Sequence, residues 1–170
     1  LLTGADMERI GGRAKCAPPL RDEENRRALI SEVEAGRIDT VGSDHSPAPP
    51  DMKDSDDFAT AWGGIPGVQT TLRALLTAGI APERIAALLG ANPAARFRLP
   101  GKGAIAVGND ADFVLFEESE PAPLAREELR DRHRLSPYVG MSFRGRVRGT
   151  YLRGEEIGEE TRGRLIRPER

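Results

Sequence analysis

The sequence predicts an α/β fold whose last third is rich in β-strands. A strand, a helix and a second strand follow one another between residues 13 and 44, and this order is the building block of parallel sheets and barrels. After an irregular segment, helical patterns occupy most of residues 68–99. From Gly101 onward the apolar residues alternate with polar ones, which is typical of short strands. We therefore expect two regions, residues 1–100 and residues 101–170.

The first region opens with the strand–helix–strand unit. Residues 13–20 are predicted to form a strand that ends in a loop at a proline pair. A helix follows, since Asp22 is a favourable N-cap residue and Gly36 is a typical residue just after a helix end. Residues 38–44 are predicted to form the next strand.

A long irregular segment separates this unit from three predicted helices. Residues 45–67 contain too many Pro, Gly and Asp residues for a regular element, and long ordered loops are usually functional or mobile. Helices are predicted over 68–79, 81–90 and 92–99, with Gly79 and Gly90 ending the first two.

The second region is predicted to contain hairpins. Two short strands are expected on either side of a turn at 108–110, within residues 103–117. Residues 145–157 alternate in the same way and turn at Arg153 and Gly154. The intervening residues 120–140 read as part loop and part polar helix.

Composition excludes several classes of function. The chain of 170 residues has a net charge of -2, with 25 basic and 27 acidic residues, so nucleic acid and anionic membranes are not expected partners. It has no apolar run near the roughly 18 residues of a membrane span and no secretory signal. Cys16 is the single cysteine, which favours a cytoplasmic protein. Because the chain starts at Leu1 and not at Met, we expect a piece of a longer protein.

Asp44 and His45 are the first candidates for chemistry. A carboxylate at the C-terminal end of a parallel strand lies where the active sites of barrels lie, although a turn or helix-cap aspartate remains an equal alternative. Neighbouring residues on a strand point to opposite faces. We therefore interpret His45 as a structural or hydrogen-bonding histidine.

The chain does not predict a complete catalytic site by itself. Ser43, Asp44 and His45 are consecutive and cannot converge as a serine triad, and no G-x-S-x-G motif is present. A catalytic zinc usually takes about three protein ligands. Besides Asp44, the candidates are only Cys16 and His133, and neither H-x-H nor H-x-x-x-H occurs.

Two further stretches could bind a ligand through their backbone. The paired glycines in WGGIPG, residues 62–67, allow close approach of a ligand, and Trp62 could wall a pocket. A tight turn before the helix is the alternative. The KCAPP stretch, residues 15–19, could offer free backbone amides or could simply end a strand.

Five stretches occur in order over nearly the whole chain: KCAPPLRDEENR, DTVGSDHSPAPPDMK, AWGGIPGVQTTL, GKGAIAVGNDADFVLF and RHRLSPYVGMSFRGRV. On these stretches the chain resembles the C-terminal part of the allantoinases, which are cyclic amidohydrolases related to dihydropyrimidinases and dihydroorotases. The G-x-I-x-x-G-x-D-A-D pattern alone would indicate only the wider amidohydrolase superfamily. SDHSP, preceded by KCAPP and followed by WGG and SPYVG, is more specific.

The resemblance implies a (β/α)8 barrel joined to a small β-sandwich. Residues 1–100 would be the last strands and helices of the barrel, with 13–20 as strand seven and 38–44 as strand eight. Residues 101–170 would be the C-terminal part of the sandwich with a tail. Such a barrel needs about 250 residues, so the chain would hold only the last part of it.

The resemblance also implies the metal site. The family centre holds two metal ions, zinc in this expectation, bound by four histidines, a carboxylated lysine and one aspartate. Only the aspartate falls within this sequence, at Asp44. The implied reaction is metal-assisted hydrolysis of (S)-allantoin to allantoate, in which Asp44 binds one metal and carries a proton from water to the leaving nitrogen. The implied substrate-binding residues are Cys16, Ala17, Ser46, Gly63 and Gly64.

The remaining expectations follow from the same resemblance. The substrate would be a small cyclic ureide, and the enzyme would be a cytoplasmic homo-oligomer, a tetramer by resemblance. A hydantoinase or dihydropyrimidinase is the nearest alternative. A non-catalytic, amidohydrolase-like scaffold protein is the alternative from another class.

Overall fold

The computed structural model describes residues 1–55, 57–158, 160–161 and 163–168. In this part of the chain, helices precede strands. The α-helices are α1 (Gly4–Ile10), α2 (Glu23–Glu34), α3 (Pro50–Lys53), α4 (Thr71–Thr77), α5 (Pro82–Ala86) and α6 (Asn92–Arg96). The strands are β1 (Phe113–Glu117), β2 (Ala122–Pro123), β3 (Ser142–Phe143), β4 (Arg146–Leu152) and β5 (Glu155–Glu156). Short 3-10 turns lie at Gly11–Ala14 and Arg126–Glu128.

Helix α2 begins and ends where the sequence predicts. The Asp22 carboxylate accepts a hydrogen bond from the Asn25 backbone N–H at 2.8 Å, and this bond lowers the pKa of Asp22. The cap satisfies one of the free N–H groups of the first turn. After the last turn, Gly36 adopts a φ of 77°, which glycine does without strain.

The predicted end of a helix at Gly90 is wrong. A π-helical segment, Ala87–Ala91, joins α5 directly to α6. The Asn92 backbone N–H donates to the Ala87 carbonyl, so helical hydrogen bonding continues through Gly90. Glycine permits a helix to end but does not force it, and the burial of Leu88 in this segment favours continuation.

The two predicted barrel strands do not appear as strands. Residues 11–14 form a 3-10 turn, and residues 38–44 run without a paired neighbour. A strand needs a neighbouring strand to complete its hydrogen bonds, and none of the described residues supplies one. Val41 instead donates its N–H to the Leu88 carbonyl at 3.3 Å.

The main hydrophobic cluster connects the helices to this unpaired segment. Its buried members are Val33, Leu76, Ile80, Ile85 and Leu88. Val41 and Phe116 pack against them and are partly buried. The cluster therefore fixes the path of residues 38–44 from one side.

Leu88 is the most buried member of this cluster, with 0% of its surface exposed. We expect Leu88→Ala to lower the free energy of unfolding of the protein by about 2–5 kcal/mol, because a cavity replaces the side chain. Leu29→Ala removes the same atoms from a residue that is 57% exposed and should change stability by no more than about 0.5 kcal/mol. Urea unfolding followed by circular dichroism measures both, and equal effects would contradict the assignment of this core.

The second region contains a three-stranded antiparallel sheet in the order β1-β4-β5. The predicted turn between β4 and β5 is confirmed, with φ values of 53° at Arg153 and 84° at Gly154. Phe113 stacks on Tyr151 across the sheet, with ring centroids 4.6 Å apart. The expected strand within 103–107 is absent from the described residues, and the predicted polar helix is only the Arg126–Glu128 turn.

Strands β2 and β3 form a separate antiparallel pair. Its cluster of buried residues consists of Leu124, Leu129 and Phe143.

None of the described helices is long and apolar enough to cross a bilayer.

Candidate functional site

Asp44 ends the unpaired segment 38–44 and projects an exposed carboxylate. Its φ of 43° lies in the left-handed region, which Asp and Asn adopt more readily than most residues. Among the described residues, no hydrogen bond or ion pair reaches this carboxylate. The alternative of a helix-capping aspartate is therefore not supported.

The neighbouring histidine has a structural role, as its sequence position suggests. The Nδ1 atom of His45 accepts hydrogen bonds from the backbone N–H groups of Gly67 at 3.2 Å and Val68 at 3.3 Å. A nitrogen that accepts cannot carry the proton, so the neutral ring carries it on Nε2. His45 thus connects Gly67 and Val68, which precede α4, to the segment that ends at Asp44.

Ser46 joins the Asp44 segment to the glycine loop. Its N–H donates to the Ile65 carbonyl at 3.0 Å, and its Oγ accepts from Trp62 Nε1 at 3.2 Å. A Cβ placed on Gly64 would lie 2.6 Å from Ser46 Oγ, closer than real Cβ contacts allow. Only glycine at position 64 permits this approach.

Cys16 and Ala17 approach the same loop from the other side. A Cβ on Gly63 would lie 3.2 Å from the Ala17 Cβ and 3.8 Å from the Cys16 carbonyl carbon. Burial raises the pKa of the Cys16 thiol; the positive charge of Lys53 offsets part of this rise, and the negative charge of Asp44 adds to it. Cys16 therefore stays protonated at neutral pH and is a poor candidate for a thiolate ligand.

The structure thus brings the sequence-predicted residues into one area. Three short segments, 16–17, 44–46 and 63–64, meet through the contacts just described. The N–H and C=O groups of Cys16, Ala17 and Gly63 accept or donate no hydrogen bond within the described part of the chain.

Lys53 is a residue of this area that sequence reasoning missed. Only 3% of its surface is exposed, and its Nζ donates to the carbonyls of Lys15 at 3.1 Å, Trp62 at 2.8 Å and Gly64 at 2.9 Å. A lysine at the end of a short helix such as α3 is normally exposed. No local pattern in the sequence signals its burial.

The described residues fit one position of a metal centre. No group of three or more His, Cys, Asp or Glu residues among them is arranged to hold a metal ion. Asp44 offers one unpaired carboxylate, and carboxylate oxygen is a suitable ligand for zinc. Asp44 is therefore a candidate for one ligand of such a centre, and the described residues do not supply a complete set.

Comparison with curated proteins shows a consistent relationship. The chain is 55% identical to an allantoinase of Deinococcus radiodurans over 98% of this chain and 39% of that protein. It is 51% identical to an allantoinase of Rubrobacter xylanophilus over 100% of this chain and 40% of that protein. The expected resemblance to allantoinases is confirmed, and the chain spans about two fifths of the length of these relatives.

Solved structures agree with these relatives. An L-hydantoinase (dihydropyrimidinase) from Arthrobacter aurescens matches with a TM-score of 0.87 and 33% identity, over 97% of this chain and 38% of that chain. A D-hydantoinase (dihydropyrimidinase) from a Thermus species matches with a TM-score of 0.90 and 28% identity, over 99% of this chain and 41% of that chain. Residues 6–157 match the amidohydrolase family. Since that match covers most of the sequence, the chain belongs to the amidohydrolase family.

Proposed function

We propose that the chain is the C-terminal part of a metal-dependent cyclic amidohydrolase that converts (S)-allantoin to allantoate. The observation that carries the proposal is the exposed carboxylate of Asp44, which has no hydrogen-bond or ion-pair partner within the described residues and lies two residues before Ser46, whose Oγ accepts from Trp62 in the glycine loop. The allantoinase relatives support the choice of substrate. Residues 1–100 would belong to the barrel and residues 101–170 to the sandwich.

Asp44 has two roles in this proposal. It binds one metal, and it takes a proton from water and delivers that proton to the leaving ring nitrogen, acting first as a base and then as an acid. A pair of divalent ions, zinc in our proposal, would polarise the ring carbonyl and activate water when bound. The other ligands would come from the rest of the enzyme.

The substrate is held largely by backbone groups. The free N–H and C=O groups near Cys16, Ala17 and Gly63 match the alternating carbonyl and N–H groups of a cyclic ureide. Ser46 uses its Oγ as an acceptor for Trp62 and keeps its hydroxyl proton for a ligand. Gly64 allows Ser46 to approach this closely, because a Cβ at position 64 would lie 2.6 Å from Ser46 Oγ.

Two competing functions make different predictions. The solved neighbours named as hydantoinases favour a hydantoinase or dihydropyrimidinase as the second candidate. A non-catalytic scaffold protein would need neither metal nor substrate. The proposed enzyme would work in the cytoplasm as a homo-oligomer, a tetramer by analogy.

The complete enzyme can be tested by measuring its metal content and its turnover of several cyclic substrates. We expect about two metals per subunit by elemental analysis, and a kcat/KM for allantoin at least about tenfold above that for hydantoin or dihydrouracil, since one or two lost hydrogen bonds are worth about that much. Faster turnover of hydantoin or dihydrouracil would reassign the substrate. Absence of metal and of turnover would support the scaffold protein.

A further inference from the structure

We propose that Lys53 is a positioning residue for substrate binding: its ammonium orients the peptide groups whose opposite ends face the ligand. The inference rests on the proposed function, because it concerns the same site. It assigns a role to a buried side chain that contacts neither Asp44 nor, in our proposal, the substrate.

The hydrogen-bond donors of Lys53 match its acceptors in number. An ammonium group has three protons, and Lys53 Nζ has three carbonyl partners at 2.8–3.1 Å. Burial lowers the pKa of Lys53, but only the charged form has a proton for each of these partners. The ammonium is therefore fully satisfied by backbone oxygen and has no donor left for a ligand.

The planarity of the peptide determines where the N–H groups next to the bound carbonyls point. In a trans peptide the C=O and the following N–H point in opposite directions. Lys53 binds the carbonyls of Lys15 and Trp62, so the N–H groups of Cys16 and Gly63 point away from it. Those two N–H groups have no partner within the described residues.

The Lys53 ammonium also affects how strongly the N–H groups of Cys16 and Gly63 donate. A cation that binds a carbonyl polarises the whole peptide, and hydrogen bonds in such chains strengthen one another. Lys53 would thus make the N–H groups of Cys16 and Gly63 better donors to a substrate carbonyl. It also holds the two segments together, because its partners lie on both of them.

The experiment compares two lysine substitutions in the complete enzyme. Lys53→Met removes the ammonium and keeps an unbranched side chain that is shorter by one atom. Lys102→Met is the matched control, since Lys102 is also largely covered and bonds to Asp110 and Asp112 in the second region, away from the site. Both variants should be less stable than the original protein, but only Lys53→Met should weaken substrate binding.

We expect Lys53→Met to raise KM at least about tenfold, with kcat within about threefold and the metal content unchanged. This split identifies a group that helps to bind the ground state and the transition state equally. Lys102→Met should leave KM within about twofold of the original protein. An unchanged KM in Lys53→Met, or an equal rise in both variants, would overturn the proposal.

Lys53→Arg covers the case in which Lys53→Met does not fold. It keeps the charge, but its planar fork spreads the donors over three nitrogens and cannot reproduce three bonds from one atom. KM should rise at least about threefold, and an unchanged KM would count against the proposal in the same way.

Amide hydrogen exchange makes the test independent of activity. The backbone N–H groups of Lys15 and Trp62, which donate to the carbonyls of Gly12 and Met52, should exchange faster in Lys53→Met or Lys53→Arg than in Lys102→Met. If the original enzyme shows no turnover of cyclic ureides, the proposed function fails, and exchange still decides whether Lys53 orders these segments. Unchanged exchange there would refute the positioning role.

Discussion

Asp44→Asn should lower kcat of the complete enzyme at least about a hundredfold, since positioned acid–base groups contribute about 10² to 10⁴ in rate. Asn keeps the shape of the side chain and can offer an oxygen to a metal. It loses the negative charge and the ability to accept and return a proton. Steady-state kinetics, metal analysis and circular dichroism on the same preparation measure the effect.

The structure makes Asn a clean substitution at this position. The carboxylate of Asp44 makes no hydrogen bond or ion pair within the described residues, so its removal breaks no structural contact there. The φ of 43° is a conformation that Asn accepts at least as well as Asp. We therefore expect an unchanged fold, and a loss of activity would report on chemistry.

His45→Asn is the matched control for Asp44→Asn. An Asn side chain can place Oδ1 near the position of His45 Nδ1 and can accept the same N–H groups of Gly67 and Val68. We expect kcat to fall less than about tenfold. If Asp44→Asn stayed near the original turnover while His45→Asn abolished it, the proton transfer would have been assigned to the wrong residue of the pair.

Local features of the fold could be predicted because local chemistry determines them. Asp22 caps α2 through a bond to a residue only three positions away. Gly79 and Gly36 end helices through their own backbone freedom, and the turn at Arg153 and Gly154 follows from its two residues. Each of these predictions needed only a few neighbouring residues.

Features that depend on distant contacts could not be predicted. The π-helical segment at Ala87–Ala91 continues through Gly90 because Leu88 packs into a cluster built from three separate helices. Residues 38–44 have the pattern of a strand, but a strand also needs a neighbour, which the pattern does not contain. Lys53 is buried by carbonyls from residues 38, 9 and 11 positions away.

The candidate site divides in the same way. Position at the end of an apolar segment made Asp44 a candidate, and the paired glycines made residues 63–64 candidates for close approach. Their roles as metal ligand and substrate contacts came from the resemblance to allantoinases. The resemblance implied that 16–17 and 63–64 share one site, and the structure shows how close they are, because a Cβ on Gly63 would lie 3.2 Å from the Ala17 Cβ.

The chain of 170 residues, expressed without the rest of the enzyme, should hydrolyse no allantoin and should retain little metal. A catalytic zinc site uses about three protein ligands, and affinity depends on the number of ligands and on how well they are preorganised. Asp44 is a single carboxylate, and the described residues contain no group of three or more potential ligands around it. Elemental analysis after dialysis against zinc tests the binding.

The matched control for this prediction is the same short chain carrying Asp44→Asn. Any hydrolysis that both chains share comes from a contaminant, since only one of them has the proposed ligand and base. Hydrolysis by the original chain above that background, supported by bound metal, would contradict the prediction. It would require a metal site assembled from residues of this chain alone, and the division of labour between Asp44 and ligands elsewhere in the enzyme would then be wrong.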